Sequence, residues 1–109
     1  MKLTIALAAL VVSTAAQAEF LDGNKLLSDM TGTHGQQMSA LGYVMGVSDA
    51  LQGIVVCLPV NVTAGQINDM VKNYLNNVPR ERSVSADITV SKILKDTWPC
   101  AARSNGRAL

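Results

Sequence analysis

The sequence predicts an all-α fold, a small bundle of four or five helices stapled by one disulfide. Apolar residues recur at helical spacing in four separate segments, and no stretch shows the strict alternation typical of a strand. With 109 residues the chain is expected to form one domain with a small core. Its two cysteines, Cys57 and Cys100, allow a single intrachain bond that would supplement that core.

The N-terminal residues have the pattern of a secretory signal peptide. Lys2 gives a positive start, an apolar run extends from Leu3 to Val12, and Ala16-Gln17-Ala18 is a small-residue cleavage site. A membrane anchor or a buried first helix is the alternative, but the apolar run is short for a span. We therefore expect residues 1–18 to be removed during export to a bacterial periplasm, with cleavage after Ala18. The helical domain would then occupy residues 19–100.

The charge of the mature chain would be balanced. Loss of Lys2 leaves as many basic as acidic residues, which argues against a nucleic-acid-binding protein. The charges are unevenly distributed, because the segment up to Met70 contains one base, Lys25, and bases predominate after Val71. This asymmetry indicates either an oriented binding surface or a scatter of solvated charges.

The first helix is predicted from about Gly23 to Met30. Asp22 is suited to cap its N-terminus, and Leu26 and Leu27 give it an apolar face. A polar loop over residues 31–35 follows.

The second helix is predicted from about Gln36 to Val56. Its apolar stripe is made by residues at helical spacing, Leu41, Val44, Ser48, Leu51 and Val55. Small residues also recur along it, at Gly42, Gly46 and Ala50, as in helices that pack closely in membranes. A carboxylate such as Asp49 would cost at least about 2.5 kcal/mol at the bilayer centre. We therefore expect a soluble helix whose small-residue row forms a groove in the core, with a structural, hydrogen-bonded role for Asp49.

Pro59 is expected to end the second helix, and the third begins soon after it. Thr63 and Gln66 have the spacing of a capping box, and the helix would run to about Asn77. Its core-facing stripe comprises Ile67, Met70, Val71, Tyr74 and Leu75.

The fourth helix is predicted after a short charged connection, with Ser83 or Ser85 as its cap and Pro99 as its end. Its inner face comprises Ala86, Val90, Ile93, Leu94 and either Thr97 or Trp98. Because Cys100 follows Pro99, the disulfide would join the ends of the second and fourth helices. The chain-entropy model gives such a bond about 4 kcal/mol. Residues 101–109 are expected to form a flexible tail.

No catalytic constellation is apparent. The one histidine, His34, lies in a polar loop, and Ser48 and Asp49 are adjacent on one helix and so point in different directions. One histidine and two oxidised cysteines do not supply a zinc site, and no glycine-rich phosphate loop occurs. We predict a small exported binding protein, not an enzyme, with no metal or other cofactor.

Five segments then carry a resemblance to a known family. In order they are GNKLLSDM, LGYVMGVSDA, VCLPVNVTAGQINDMVKNYL, VPRERSVSA and WPC. In content and spacing they resemble the Rap/Tai family of immunity proteins, which accompany type VI secretion amidase effectors. The most specific parts are GYVxGVxDA, C-x-P-x-x-V-T-x-x-Q and the terminal W-P-C. The resemblance covers nearly all of the chain after the signal peptide.

The resemblance implies a periplasmic, all-helical protein that binds a peptidoglycan-cleaving amidase and occludes its active site, often as a homodimer. Many relatives carry a second cysteine pair, whose places are held here by Met30 or a neighbour and by Ser39 or Ala40. Met30 would fill the resulting gap by packing.

For contact with the partner, the first candidate is the charged loop of Pro79, Arg80, Glu81, Arg82 and Ser83, because arginine is enriched at interface hot spots. The polar loop over residues 31–36 is the second candidate. Alternatively, Arg80 and Arg82 are only solvated, or pair with Glu81 and Asp87.

The alternative function is an HdeA-like periplasmic acid-stress chaperone, a class that is also small, helical and singly disulfide-bonded. The composition disfavours it, because only 8 acidic residues and 1 histidine could drive an acid transition.

Overall fold

A computed structural model describes residues 20–101 of the chain. The described part is all-α, as predicted, and contains no sheet. Its four α-helices, in chain order, are α1 (Gly23–Met30), α2 (His34–Leu51), α3 (Ala64–Asn77) and α4 (Ala86–Thr97), and a 3₁₀ turn over Pro79–Ser83 precedes α4. The predicted signal peptide, and all of the predicted tail except Ala101, lie outside the described residues.

Three helices begin at a residue whose side chain accepts a hydrogen bond from a backbone amide of the first turn. The Asp22 carboxylate accepts from the amide of Lys25 at 2.8 Å, as predicted for α1. At α3 the predicted capping box is present, because Thr63 Oγ1 accepts from the Gln66 amide at 3.2 Å and Gln66 Oε1 from the Thr63 amide at 2.8 Å. An equivalent box at Thr33 starts α2 two residues before the predicted boundary.

The second helix is shorter than predicted. It ends at Leu51, and Gly53 adopts a left-handed conformation with φ of 80°, which glycine tolerates best. Val56 is then fully buried and forms an isolated bridge with Pro99. The prediction that Pro59 ends this helix is therefore wrong. Tertiary pairing with the end of α4 turns the chain out of the helix before Pro59 is reached.

The predicted disulfide joins Cys57 to Cys100, 43 residues apart. Beside it, the amide of Cys57 donates to the carbonyl of Trp98 at 2.9 Å, and the Trp98 side chain is partly buried against the core. The bond thus ties the segment after α2 to the C-terminal end of α4.

All four helices contribute to one apolar core. Its buried members are Leu26, Met30, Ala40, Val44, Val56, Ile67, Val71, Leu75, Ala86, Val90, Ile93 and Leu94. The predicted stripes of α3 and α4 supply most of them. Met30 and Ala40 are both buried, so Met30 packs in the core as predicted.

The small-residue row of α2 does not lie in the core. Gly42, Gly46 and Ala50 are exposed, and a Cβ built at either glycine meets nothing within 4 Å. Asp49 is exposed as well, so it has no buried hydrogen-bonded role. The prediction failed because α2 is apolar on nearly every side, and sequence spacing alone does not show which side the other helices cover.

The close approach in this fold occurs at Gly23 instead. A Cβ there would lie 2.7 Å from Cα of Arg82 and 2.9 Å from Cδ2 of Leu75. Glycine at the first position of α1 therefore allows the 3₁₀ turn to pack directly against that helix.

Candidate functional site

The predicted contact loop forms the 3₁₀ turn between α3 and α4. Pro79, Arg80 and Ser83 are exposed, whereas Glu81 and Arg82 are partly buried. The two arginines therefore differ, and only Arg80 presents its side chain as the sequence predicted for both.

Arg82 is engaged within the chain. Its Nε donates to the carbonyl of Leu75 at 2.6 Å and its Nη2 to that of Asn76 at 3.0 Å. These carbonyls belong to the last turn of α3, where they lack intrahelical partners and carry the negative end of the helix dipole. Within residues 20–101 neither arginine forms a salt bridge, so the alternative of pairing with Glu81 or Asp87 is not observed.

The outer face of α2 is not covered by the other helices of the described chain. Of its eighteen residues only Ala40, Val44 and Ser48 are buried. The outer face consists of the exposed residues Met38, Gly42, Gly46, Asp49 and Ala50. A helix that is apolar on nearly every side is normally buried on every side, so this face has the character of an interface.

A second apolar surface lies on the segment between α2 and α3. Ile54 is 73% exposed and Val60 is fully exposed, although both are large aliphatic residues. The segment is fixed in place, because the amide of Gly53 donates a hydrogen bond to the carbonyl of Val56 at 2.8 Å. The disulfide at Cys57 holds the next residue. This segment therefore presents aliphatic side chains to solvent on a backbone that is held in place.

A cavity of about 520 Å³ lies between α2, the last turn of α1 and the residues that precede α1. Its wall comprises Phe20, Leu21, Asp29, Ser39, Ala40 and Tyr43. Asp29 is buried, with 8% exposure, and its Oδ1 lies 2.8 Å from Nζ of Lys25. Burial raises the pKa of Tyr43, and the negative charge of Asp87 raises it further, against a smaller lowering by a hydrogen bond from the Asp87 backbone. The carboxylate of Asp29 therefore lies in the cavity wall, and that of Asp87 acts on the hydroxyl of Tyr43.

No catalytic geometry is formed among the described residues. His34 is exposed at the first turn of α2, Ser48 is buried without a hydrogen-bond partner for its hydroxyl, and Asp49 points to solvent. No group of three His, Cys, Asp or Glu side chains between residues 20 and 101 could hold a metal ion. In the same range, none of the helices combines the length and hydropathy needed to cross a bilayer.

Sequence reasoning missed both the cavity and the Ile54–Val60 surface. The Ile54–Val60 surface could have been predicted, since no charged residue occurs from Ala50 to Asn68. The only indication of the cavity was the Lys25–Asp29 spacing of an i,i+4 ion pair. That spacing does not by itself indicate burial.

Comparison with known proteins gives one match. The family model of Rap1a immunity proteins matches residues 22–100, which include all four helices, the 3₁₀ turn and both cysteines. Neither a search of curated proteins nor a search of solved structures gave a match. The matched region is most of the chain, and the chain therefore belongs to the family of Rap1a immunity proteins.

Proposed function

We propose that this chain is a periplasmic immunity protein that binds a peptidoglycan-cleaving amidase effector of type VI secretion and inhibits it by occluding its active site. The family match over residues 22–100 carries the proposal. The structure supports a binding role through its uncovered apolar surfaces, the outer face of α2 and the segment bearing Ile54 and Val60.

Export is part of this proposal. The Lys2 start, the apolar run and the Ala16-Gln17-Ala18 site would direct the chain to the periplasm, where the substrate of such an amidase lies. The Cys57–Cys100 disulfide fits an oxidising compartment.

We assign the effector contact to the 3₁₀ turn, Pro79–Ser83, with different roles for its arginines. Arg80 is exposed and free to reach a partner. Arg82 holds the turn against α3 through its bonds to Leu75 and Asn76, so it orients the contact without making it. An anchored turn carrying one exposed arginine loses little conformational entropy on binding.

The outer face of α2 is assigned to a second copy of the chain. With glycine at positions 42 and 46, two helices could approach closely and cover apolar surface that one chain leaves exposed. Gly46→Arg should convert a dimer to a monomer in light scattering, whereas Asn73→Arg, on the exposed side of α3, should not. A wild-type monomer at high concentration would rule the dimer out.

The test of function is rescue of a sensitive cell from an exported type VI amidase. Co-expression of this protein should prevent lysis, Arg80→Ala should weaken rescue, and Lys95→Ala, an exposed base on α4, should not. Failure to bind or inhibit any adjacently encoded amidase would refute the proposal. Protection of unfolded client proteins at low pH would instead support the HdeA-like chaperone.

A further inference from the structure

We propose that the cavity between α1 and α2 binds an arginine side chain presented by the effector. This proposal rests on the proposed function for the identity of the partner. It adds a second contact, distant in sequence from the 3₁₀ turn, and specifies its chemistry.

The cavity is large enough to admit a long side chain, and its lining suits one that carries a cation. Its volume of about 520 Å³ lies in the range of ordinary ligand pockets, about 300–1,000 Å³. The aromatic rings of Phe20 and Tyr43 contribute to its wall, and Phe20 is 84% exposed. A planar guanidinium can stack on such rings while its methylenes contact Leu21 and Ala40.

The charge of the cavity favours a cation. Asp29 is buried in its wall, and an adjoining cavity that shares Phe20 and Leu21 is lined by Asp22 and Lys25. Asp87 lies close enough to act on the Tyr43 hydroxyl. Two carboxylates, Asp29 and Asp22, thus line the two cavities against one described base, Lys25.

Lys25 pairs with the carboxylate that the guest would bind. Its ammonium lies 2.8 Å from Oδ1 of Asp29, yet its side chain is 57% exposed. An i,i+4 pair with one exposed partner contributes little to stability. An incoming guanidinium can bond both carboxylate oxygens and so displace the lysine, which returns to solvent.

Pairing with Lys25 explains how the buried Asp29 carboxylate is tolerated in the free protein. Without Lys25, Asp29 would be a largely buried charge with no partner in the described chain. Removing the lysine should therefore strengthen binding of a cationic guest.

The cavity can be tested without the effector. The mature protein is titrated with Nα-acetyl-arginine methylamide, with the neutral citrulline analogue as the matched probe, and amide shifts are followed by NMR. We expect saturable shifts at Ser39 and Tyr43 with arginine only, and at least threefold tighter binding in Lys25→Met. Equal shifts with both probes, or none, would overturn the proposal.

Two variants link the cavity to the partner. Asp29→Asn should abolish arginine binding, but it also removes the ion pair with Lys25, so Ser39→Leu serves as an independent block from the exposed rim. Ser39→Leu should weaken effector binding at least tenfold, and Ser28→Leu, exposed on α1 and outside the cavity, should not.

The outcomes separate this proposal from the proposed function. If the wild-type protein binds the effector and Ser39→Leu binds it equally well, the effector does not use the cavity, and the immunity function stands. If the wild-type protein binds arginine but no effector, the cavity is a cation site and the partner is wrong in both proposals.

Discussion

The Nε of Arg82 lies 2.6 Å from the carbonyl oxygen of Leu75, at the C-terminal end of α3. With the bond from Nη2 to Asn76, this contact caps α3 from a residue seven positions further along the chain. Helix ends commonly use a glycine or a nearby basic side chain for this purpose. Here the cap also fixes the 3₁₀ turn, so the shape of the proposed effector contact and the stability of α3 depend on the same side chain.

Arg82→Ala should lower the free energy of unfolding by about 1.5–3 kcal/mol, the usual range for hydrogen bonds to a charged group. Arg80→Ala should change it by less than about 0.5 kcal/mol, because Arg80 is exposed and unpaired within residues 20–101. Urea unfolding followed by circular dichroism measures both. Equal effects of the two substitutions would contradict the assignment of Arg82 as the cap.

Gly23→Ala and Gly42→Ala form a matched pair with opposite expected signs. A Cβ at Gly23 would lie 2.7 Å from Cα of Arg82, a backbone atom that cannot move away cheaply. Gly23→Ala should therefore destabilise the fold by about 1–3 kcal/mol, the usual cost of overpacking.

A Cβ at Gly42, on the exposed face of α2, would meet nothing within 4 Å. Gly42→Ala should therefore stabilise the fold by up to about 1 kcal/mol, the difference in helix propensity. Thermal unfolding at low protein concentration gives both values. Destabilisation by Gly42→Ala under those conditions would mean that its face is covered within one chain.

Much of the helical architecture could be predicted because local chemistry determines it. The Thr63–Gln66 box and the Asp22 cap are readable from spacing, and the stripe Ile67, Val71, Leu75 is buried as its period requires. The end of α2 could not be predicted from local sequence, because it depends on the pairing of Val56 with Pro99, far along the chain.

The candidate site was less predictable for the same physical reason. A charged loop such as Pro79–Ser83 indicates exposure, but the capping of α3 by Arg82 is a tertiary contact that the charge pattern does not encode. The small residues at positions 42 and 46 indicate a close approach, but not whether the approaching helix belongs to the same chain.

Replacing both cysteines, Cys57→Ala with Cys100→Ala, should lower the free energy of unfolding by about 4 kcal/mol, because the bond constrains a 43-residue separation in the unfolded chain. The helical core does not include either sulfur, so the far-ultraviolet spectrum should be retained at low temperature. Denaturant titration with and without reductant measures the difference. A difference below about 1 kcal/mol would show that the disulfide adds little to this fold.

Ser48→Ala should leave stability unchanged or raise it by about 1–3 kcal/mol. The Ser48 hydroxyl is fully buried and has no hydrogen-bond partner in the described part of the chain. Its removal therefore eliminates a desolvation penalty that no hydrogen bond offsets. Urea midpoints of the variant and the wild type decide the sign. A loss of more than about 1 kcal/mol would mean that the hydroxyl has a partner after all.

The titration of Tyr43 should make the stability of the fold depend on pH in the alkaline range. Burial and Asp87 raise the pKa of its hydroxyl above 10.0, so the folded protein holds this proton more tightly than the unfolded chain. The corresponding stability is fully present below pH 10 and is lost as the pH rises through the raised pKa. Unfolding measured from pH 8 to 11 should therefore show a decline that is smaller in Tyr43→Phe. An identical decline in both proteins would contradict this origin.

The most direct measurement is the rescue of a sensitive cell in which a type VI amidase, encoded beside this gene, is exported to the periplasm. We predict that co-expression prevents lysis, that Arg80→Ala weakens the protection, and that Lys95→Ala leaves it intact. Lysis that proceeds unchanged, with the protein folded and present in the periplasm, would contradict the proposed immunity function.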